Sequence, residues 1–207
     1  NLQEFMEGTF PDTADSDHDG MPDGWEVEHN LEPMDFTDEE DDPDVDELNN
    51  LREYESGTDP RDSDTDGDSL TDGWEVNYDL DPLDPLDSTG DKDQDGLSNM
   101  EEFNRDMDPT NADMDGDGLP DGWEVNNSLD PQYAYDAKMD NDTDGLSNEM
   151  EYSLGTDPKK LDSDSDGMPD GWEVDYGFDP VDSADASEDK DDDNVSNLEE
   201  FKKDLDP

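Results

Sequence analysis

The sequence predicts a mostly irregular fold of small α content. It is an elongated array of acidic loops, each followed by a short helix, with little hydrophobic core. Three observations predict this. A short motif returns at an unbroken 49-residue spacing. A twelve-residue acidic pattern occurs twice in every such unit. Only 26% of the 207 residues are hydrophobic, and the formal net charge is −60.

The period comes first, because a repeat decides the architecture. "GWEV" begins at Gly24, Gly73, Gly122 and Gly171. A second anchor, asparagine followed three residues later by glutamate and an aromatic, begins at Asn1, Asn50, Asn99, Asn148 and Asn197. The units are therefore 1–49, 50–98, 99–147 and 148–196, and 197–207 starts a fifth. Identical steps generate a regular linear or helical object.

Each unit holds two loops of the form D-x-D-x-D-(G)-apolar-x-(D/N)-x-x-E. Those ending in "DGWE" are called A loops here, and those ending in "NxxE" plus an aromatic are B loops. The A loops carry Asp15, Asp17, Asp19 and Glu26; Asp64, Asp66, Asp68 and Glu75; Asp113, Asp115, Asp117 and Glu124; and Asp162, Asp164, Asp166 and Glu173. The B loops carry Asp42, Asp44, Asp46 and Glu53; Asp91, Asp93, Asp95 and Glu102; Asp140, Asp142, Asp144 and Glu151; and Asp189, Asp191, Asp193 and Glu200. The seventh residue is always apolar: Met21, Leu48, Leu70, Leu97, Leu119, Leu146, Met168 and Val195. A halophilic coat scatters acidic residues over a surface; these are phase-locked, so a coat does not account for them.

Carboxylates at positions one, three and five, a backbone carbonyl at seven and a bidentate glutamate at twelve make an oxygen cage for a calcium ion. The first three aspartates and the glutamate of each loop are the expected ligands, joined by the carbonyl of the apolar residue. Asp23, Asn50, Asp72, Asn99, Asp121, Asn148, Asp170 and Asn197, at position nine, are expected to hold a water on the metal or to cap the helix. Magnesium demands a stricter octahedron and keeps its waters, so the multidentate cage favours Ca²⁺, about eight ions in all. Zinc is disfavoured: there is no cysteine, and the two histidines, His18 and His29, read as solvated side chains. Glycine at position six permits the sharp turn. Glu47, Ser69 and Asn194 depart from it, and the Glu47 loop is expected to bind most weakly.

Each helix is short, because Asp-Pro follows within a few residues, as at Asp81-Pro82 and Asp108-Pro109. The segments entering the loops, such as "GTDPRDS", are turn-like, so each site is a loop with an exiting helix only. Trp25, Trp74, Trp123 and Trp172, with Val27, Val76, Val125 and Val174, read as small apolar contacts seating each helix on its neighbour. Phe5, Tyr54, Phe103, Tyr152 and Phe201 read as their counterparts in the B repeats.

"DTDGDSLTDGWEVNYDLDP" and "DKDQDGLSNMEEFNRDMDP" resemble thrombospondin type-3 calcium-binding repeats in their microbial, cysteine-free form, over essentially the whole chain. The resemblance implies a calcium-filled string of loops whose order depends on metal. "DGMPDGWEVDYG" also resembles the calcium-binding stretch of bacterial binary-toxin components. There two neighbouring ions share aspartates, which implies more than one ion in an A loop. Dockerin modules share the loop but carry a cohesin-facing helix surface that is missing here.

The charge disfavours nucleic acid and anionic lipid as partners, and no apolar run is long enough for membrane insertion in this segment. A chain so acidic and so poor in apolar residues is expected to be disordered unless something cancels charge. Extracellular calcium modules bind with Kd of about 10⁻⁴–10⁻³ M. At calcium roughly ten times Kd, eight sites supply on the order of 11 kcal/mol, comparable to a whole domain's stability. The expected behaviour is disorder without calcium and a rigid rod with it.

The leading expectation is an extracellular or cell-surface structural protein: a stalk, or a fibre subunit that self-associates. The chain opens at loop position nine and stops at an Asp-Pro turn, which suggests a window on a longer array or protomers joined head to tail. A calcium-dependent adhesion module is the alternative, with Pro131 to Lys138 as its most variable surface. Millimolar-class sites would stand empty at cytosolic calcium, which argues against an intracellular buffer. No nucleophile–base constellation points to an enzyme. Asn126, Asn141 and Asn194 stand in N-x-S/T sequons and are glycosylation acceptors if the host modifies secreted protein.

Overall fold

The computed structural model describes residues 8–10 and 12–207. The anchor at Asn1 and the aromatic Phe5 lie outside them. Among the described residues there are helices and turns and no strand. Eight helices recur in two phases. Those leaving A loops are α1 (Asp23–His29), α3 (Asp72–Asn77), α5 (Asp121–Asn127) and α7 (Asp170–Tyr176). Those leaving B loops are α2 (Asn50–Ser56), α4 (Asn99–Phe103), α6 (Asn148–Leu154) and α8 (Asn197–Lys203). Between each A helix and the next B loop lies a single 3₁₀ turn, at Asp38–Glu40, Asp87–Thr89, Asp136–Lys138 and Asp185–Ser187.

Among the described residues no helix exceeds seven residues. Helices this short are unstable alone, so the loops must hold them. Six of the eight stop on a left-handed residue, such as Gly57, Gly155 or Gly177.

The helix caps differ from the sequence expectation. Position eight, not nine, is the cap. Asn49, Ser98, Ser147 and Ser196 accept the backbone N–H three residues on, at 3.0–3.4 Å. Thr71 does the same in the second A loop, while Pro22, Pro120 and Pro169 hold that place elsewhere without a side-chain bond. Only Ser98 and Glu101 form a reciprocal capping box among the described helices. Position nine is already helical, so Asp23, Asn50, Asp72, Asn99, Asp121, Asn148, Asp170 and Asn197 are not caps.

The chain divides into two compact units, Asn1–Asp93 with Leu97–Thr110, and Gln94–Gly96 with Asn111–Pro207. Each is built alike. The seventh loop residue forms the apolar interior: Met21, Leu48, Leu70, Leu119 and Met168 are wholly buried, and Leu97 and Leu146 nearly so. Each tryptophan meets the aromatic of the following B helix. In the first unit Trp25 lies 5.3 Å from Tyr54 and Trp74 lies 5.2 Å from Phe103. In the second, Trp123 lies 5.3 Å from Tyr152 and Trp172 lies 5.2 Å from Phe201. These distances suit aromatic pairing and add to the area each ring buries.

Candidate metal centres

The loops organise around their first aspartate. Asp64 Oδ1 accepts the N–H groups of Gly67 and Asp68, and Oδ2 that of Ser69, at 2.9–3.1 Å. Asp113 accepts from Gly116, Asp117 and Gly118 in the same way, and Asp162 from Ser165, Asp166 and Gly167. Wrapping a loop this tightly needs left-handed backbone twice. Position six has it, as expected. Position four has it too, at His18, Val45, Gly67, Gln94, Gly116, Thr143, Ser165 and Asp192. Residue types at position four are mixed, so nothing in the sequence marked it.

The remaining ligand atoms gather without donors. Glu26, Glu53, Glu75, Glu124, Glu151 and Glu173 are completely buried, and neither oxygen of any of them has a hydrogen-bond partner. Oδ2 of Asp17, Asp66, Asp115, Asp142 and Asp164 is likewise buried and unpaired. Burying an unpaired carboxylate costs several kcal/mol unless a cation or a proton joins it. Without a cation, burial first and neighbouring aspartates second push the Glu26, Glu124 and Glu151 carboxyls up to about 8. Glu53, Glu75 and Glu173 rise to about 9 for the same reasons. An all-oxygen, strongly negative, donor-free cavity fits a hard divalent cation.

Sequence reasoning missed one ligand candidate per A loop. The 3₁₀ turns bring in Asp38, Asp87, Asp136 and Asp185. In each, Oδ2 accepts a backbone N–H, from Glu32, Asp81, Asp130 or Asp179, at 2.8–3.1 Å. Oδ1 of each is buried and unpaired. Asp15, Asp17 and Asp19 bring oxygens within 4.8 Å of one another, and so do Asp19, Glu26 and Asp38. Asp64, Asp66 and Asp68 pair similarly with the group Asp68, Glu75 and Asp87. The fifth-position aspartate is common to both groups. The signal existed in the sequence: an aspartate stands 23 residues after the start of every A loop.

Position nine of the B loops is a tie. The amide of Asn50, Asn99, Asn148 and Asn197 donates to the carbonyl of Asp38, Asp87, Asp136 and Asp185 at 2.7–2.8 Å, fixing the 3₁₀ turn that carries the extra carboxylate. Asn99 and Asn197 also accept the N–H of Lys92 and Lys190. Asp91, Asp93 and Asp95 belong to a loop whose fourth and sixth residues, Gln94 and Gly96, share the common conformation. In the last B loop Asp189 is half-buried, while Asp191 and Asp193 are more exposed than their counterparts; Glu200 is buried. His18 is solvated, as expected; His29 packs instead on Trp25, 4.4 Å between rings, and bonds its carbonyl. Asn126, Asn141 and Asn194 are all exposed.

Repeated acidic loops, each closed by a buried glutamate on an exiting helix, define an array of cation-binding loops of EF-hand type. Five segments match the bacterial TSP3 repeat model: 15–30, 64–85, 113–127, 140–160 and 162–183. These five segments are similar to bacterial TSP3 repeats, and the chain has no cysteine. The matches take in all four A loops and the third B loop. Such repeats imply a calcium-binding repeat protein, and the family is a structural one, not an enzyme family. No curated protein and no solved structure shows significant similarity to the chain.

Proposed function

We propose that the chain is a calcium-binding structural segment of an extracellular or cell-surface protein, its 49-residue units forming part of a stalk or a self-associating fibre. One observation carries the reading. Completely buried glutamates with no donor on either oxygen, Glu26, Glu53, Glu75, Glu124, Glu151 and Glu173, recur loop after loop. A ligand shared by so many near-identical loops suits a scaffold better than a single regulated switch.

In this reading the first three aspartates of each loop, the seventh carbonyl and the closing glutamate hold the ion. In the A loops the 3₁₀ aspartate joins them, and the shared fifth aspartate makes room for a second ion. Calcium neutralises the loop, releases the protons held by the glutamates and fixes the start of the exiting helix. About eight ions is then a minimum. The test is metal analysis of dialysed protein alongside far-UV circular dichroism with and without chelator. Bound calcium and a chelator-sensitive helical signal are expected; an unchanged spectrum overturns the reading.

A specific surface supports the second reading, a calcium-dependent adhesion module. Tyr133 and Tyr135 stand 52% and 73% exposed, rings 5.8 Å apart, inside the variable stretch Pro131 to Lys138. Loss of host-surface binding on changing both to serine, with calcium binding intact, would favour it. The exposed Asn126 and Asn141 are the acceptors to examine for glycan by mass spectrometry of native material.

A further inference from the structure

The B loops lack the acid that completes the A loops. Twenty-three residues after a B loop starts, where an A loop finds its 3₁₀ aspartate, stand Thr65, Met114 and Ser163. Another carboxylate lies against Thr65 and Ser163. Asp170 Oδ1 accepts the Ser163 N–H at 2.8 Å. Asp72 accepts both the N–H and the hydroxyl of Thr65, at 2.9 and 2.7 Å. Both aspartates are completely buried, and Asp170 Oδ2 has no partner.

Both are pressed against the preceding B loop. The residue after each donates its N–H into that loop: Gly171 to Asp144 Oδ2 at 3.0 Å, and Gly73 to Asp46 Oδ2 at 2.8 Å. A Cβ on either glycine would stand 2.2 Å from the carbonyl oxygen of the same aspartate, so no side chain fits between. Asp23 differs. It is half-buried, where Asp72 and Asp170 are completely buried.

We propose that the cation sites of the first and third B loops each take a carboxylate from the A loop that follows. The ion held by Asp142, Asp144 and Glu151 takes a further carboxylate from Asp170 of the next A loop, and the ion of Asp44, Asp46 and Glu53 takes one from Asp72. The inference rests on the calcium-binding reading. It makes these two ions fasteners between successive loops, whereas each A ion is held by one loop and the 3₁₀ turn that follows it.

A double-mutant cycle on the full chain, read by calorimetric calcium titration and by bound-calcium count, tests it. Asp170→Asn keeps the acceptor for Ser163 and is expected to weaken one site at least about tenfold. On a Glu151→Gln background, where the B site is already broken, Asp170→Asn should have no further effect. On a Glu173→Gln background, which breaks the A site that contains Asp170, it should keep its full effect. The reverse pattern, or equal effects on both backgrounds, overturns the bridge. If Asp170→Asn fails to fold, the cycle of Asp72→Asn with Glu53→Gln and Glu75→Gln asks the same question in the other compact unit. A wild-type chain that binds no calcium overturns the underlying reading instead; normal calcium binding with Asp170→Asn silent overturns only the bridge.

Discussion

The recurring "GWEV" looks at first like a tryptophan motif, but its glycine is the tighter constraint. A methyl group on Gly73 or Gly171 would collide with the carbonyl oxygen of Asp46 or Asp144 at 2.2 Å, and on Gly122 with that of Asp95 at 2.5 Å. Overpacking against backbone costs about 1–3 kcal/mol. Gly73→Ala and Gly171→Ala are therefore expected to lower stability by that amount in calcium. Denaturant melts of the two variants check this; unchanged midpoints would remove the close approach as a constraint. Val45 offers the opposite case. It is β-branched, 80% exposed, and held at φ 67°. Val45→Gly should stabilise by about 1 kcal/mol, because left-handed backbone is costly for such a residue and little packing is lost.

Each helix is too short to stand without its loop, so helix formation reports on the loop. In the metal-free folded chain, burial and neighbouring aspartates push the Glu26, Glu53, Glu75, Glu124, Glu151 and Glu173 carboxyls up to about 8 or about 9, against an ordinary value of 4.5. The folded chain therefore binds more protons than the unfolded chain between those limits, and its stability falls as pH rises through them. The metal-free helical signal should be greatest near pH 4.5 and fade toward pH 9. Calcium must displace those protons, so apparent affinity should instead rise with pH over the same window. A flat metal-free profile by circular dichroism would contradict the buried, unpaired state of the glutamates. The capping box on α4 is a smaller contribution. Ser98→Ala should cost about 1 kcal/mol, visible as a lower melting temperature.

For the whole molecule, the interior is a carboxylate interior with apolar spacers. The wholly buried large side chains among the described residues are five Met or Leu residues and seven glutamates. In the calcium-binding reading, cohesion of that kind depends on the ion. Chelation should abolish cooperative unfolding altogether, and calcium should restore it. Magnesium at equal concentration should restore it poorly, because it sheds its waters reluctantly and tolerates less coordination. Scanning calorimetry in the three conditions checks this. Full recovery with magnesium would mean that charge neutralisation alone, and not the shape of the cage, orders the chain. No helix among the described residues is long and apolar enough to cross a membrane.

The period, the two loop phases, the helix that leaves each loop and the inward turn of the seventh residue are all legible in the sequence. These follow from local chemistry: ligand spacing, glycine at position six, and Asp-Pro stops. In the B loops and the second A loop the caps are displaced by one residue from their expected place, since Asn or Asp at position nine and Asn, Ser or Thr at position eight are all good cap types and only the hydrogen bonds choose. Asp38, Asp87, Asp136 and Asp185 escape sequence reading, because their place in the site depends on a 3₁₀ turn folding back and an asparagine amide tying it down. The glycine contacts between Gly73 and Asp46 and between Gly171 and Asp144 span 27 residues. No local pattern encodes contacts at that separation; the packing of neighbouring loops in three dimensions sets them.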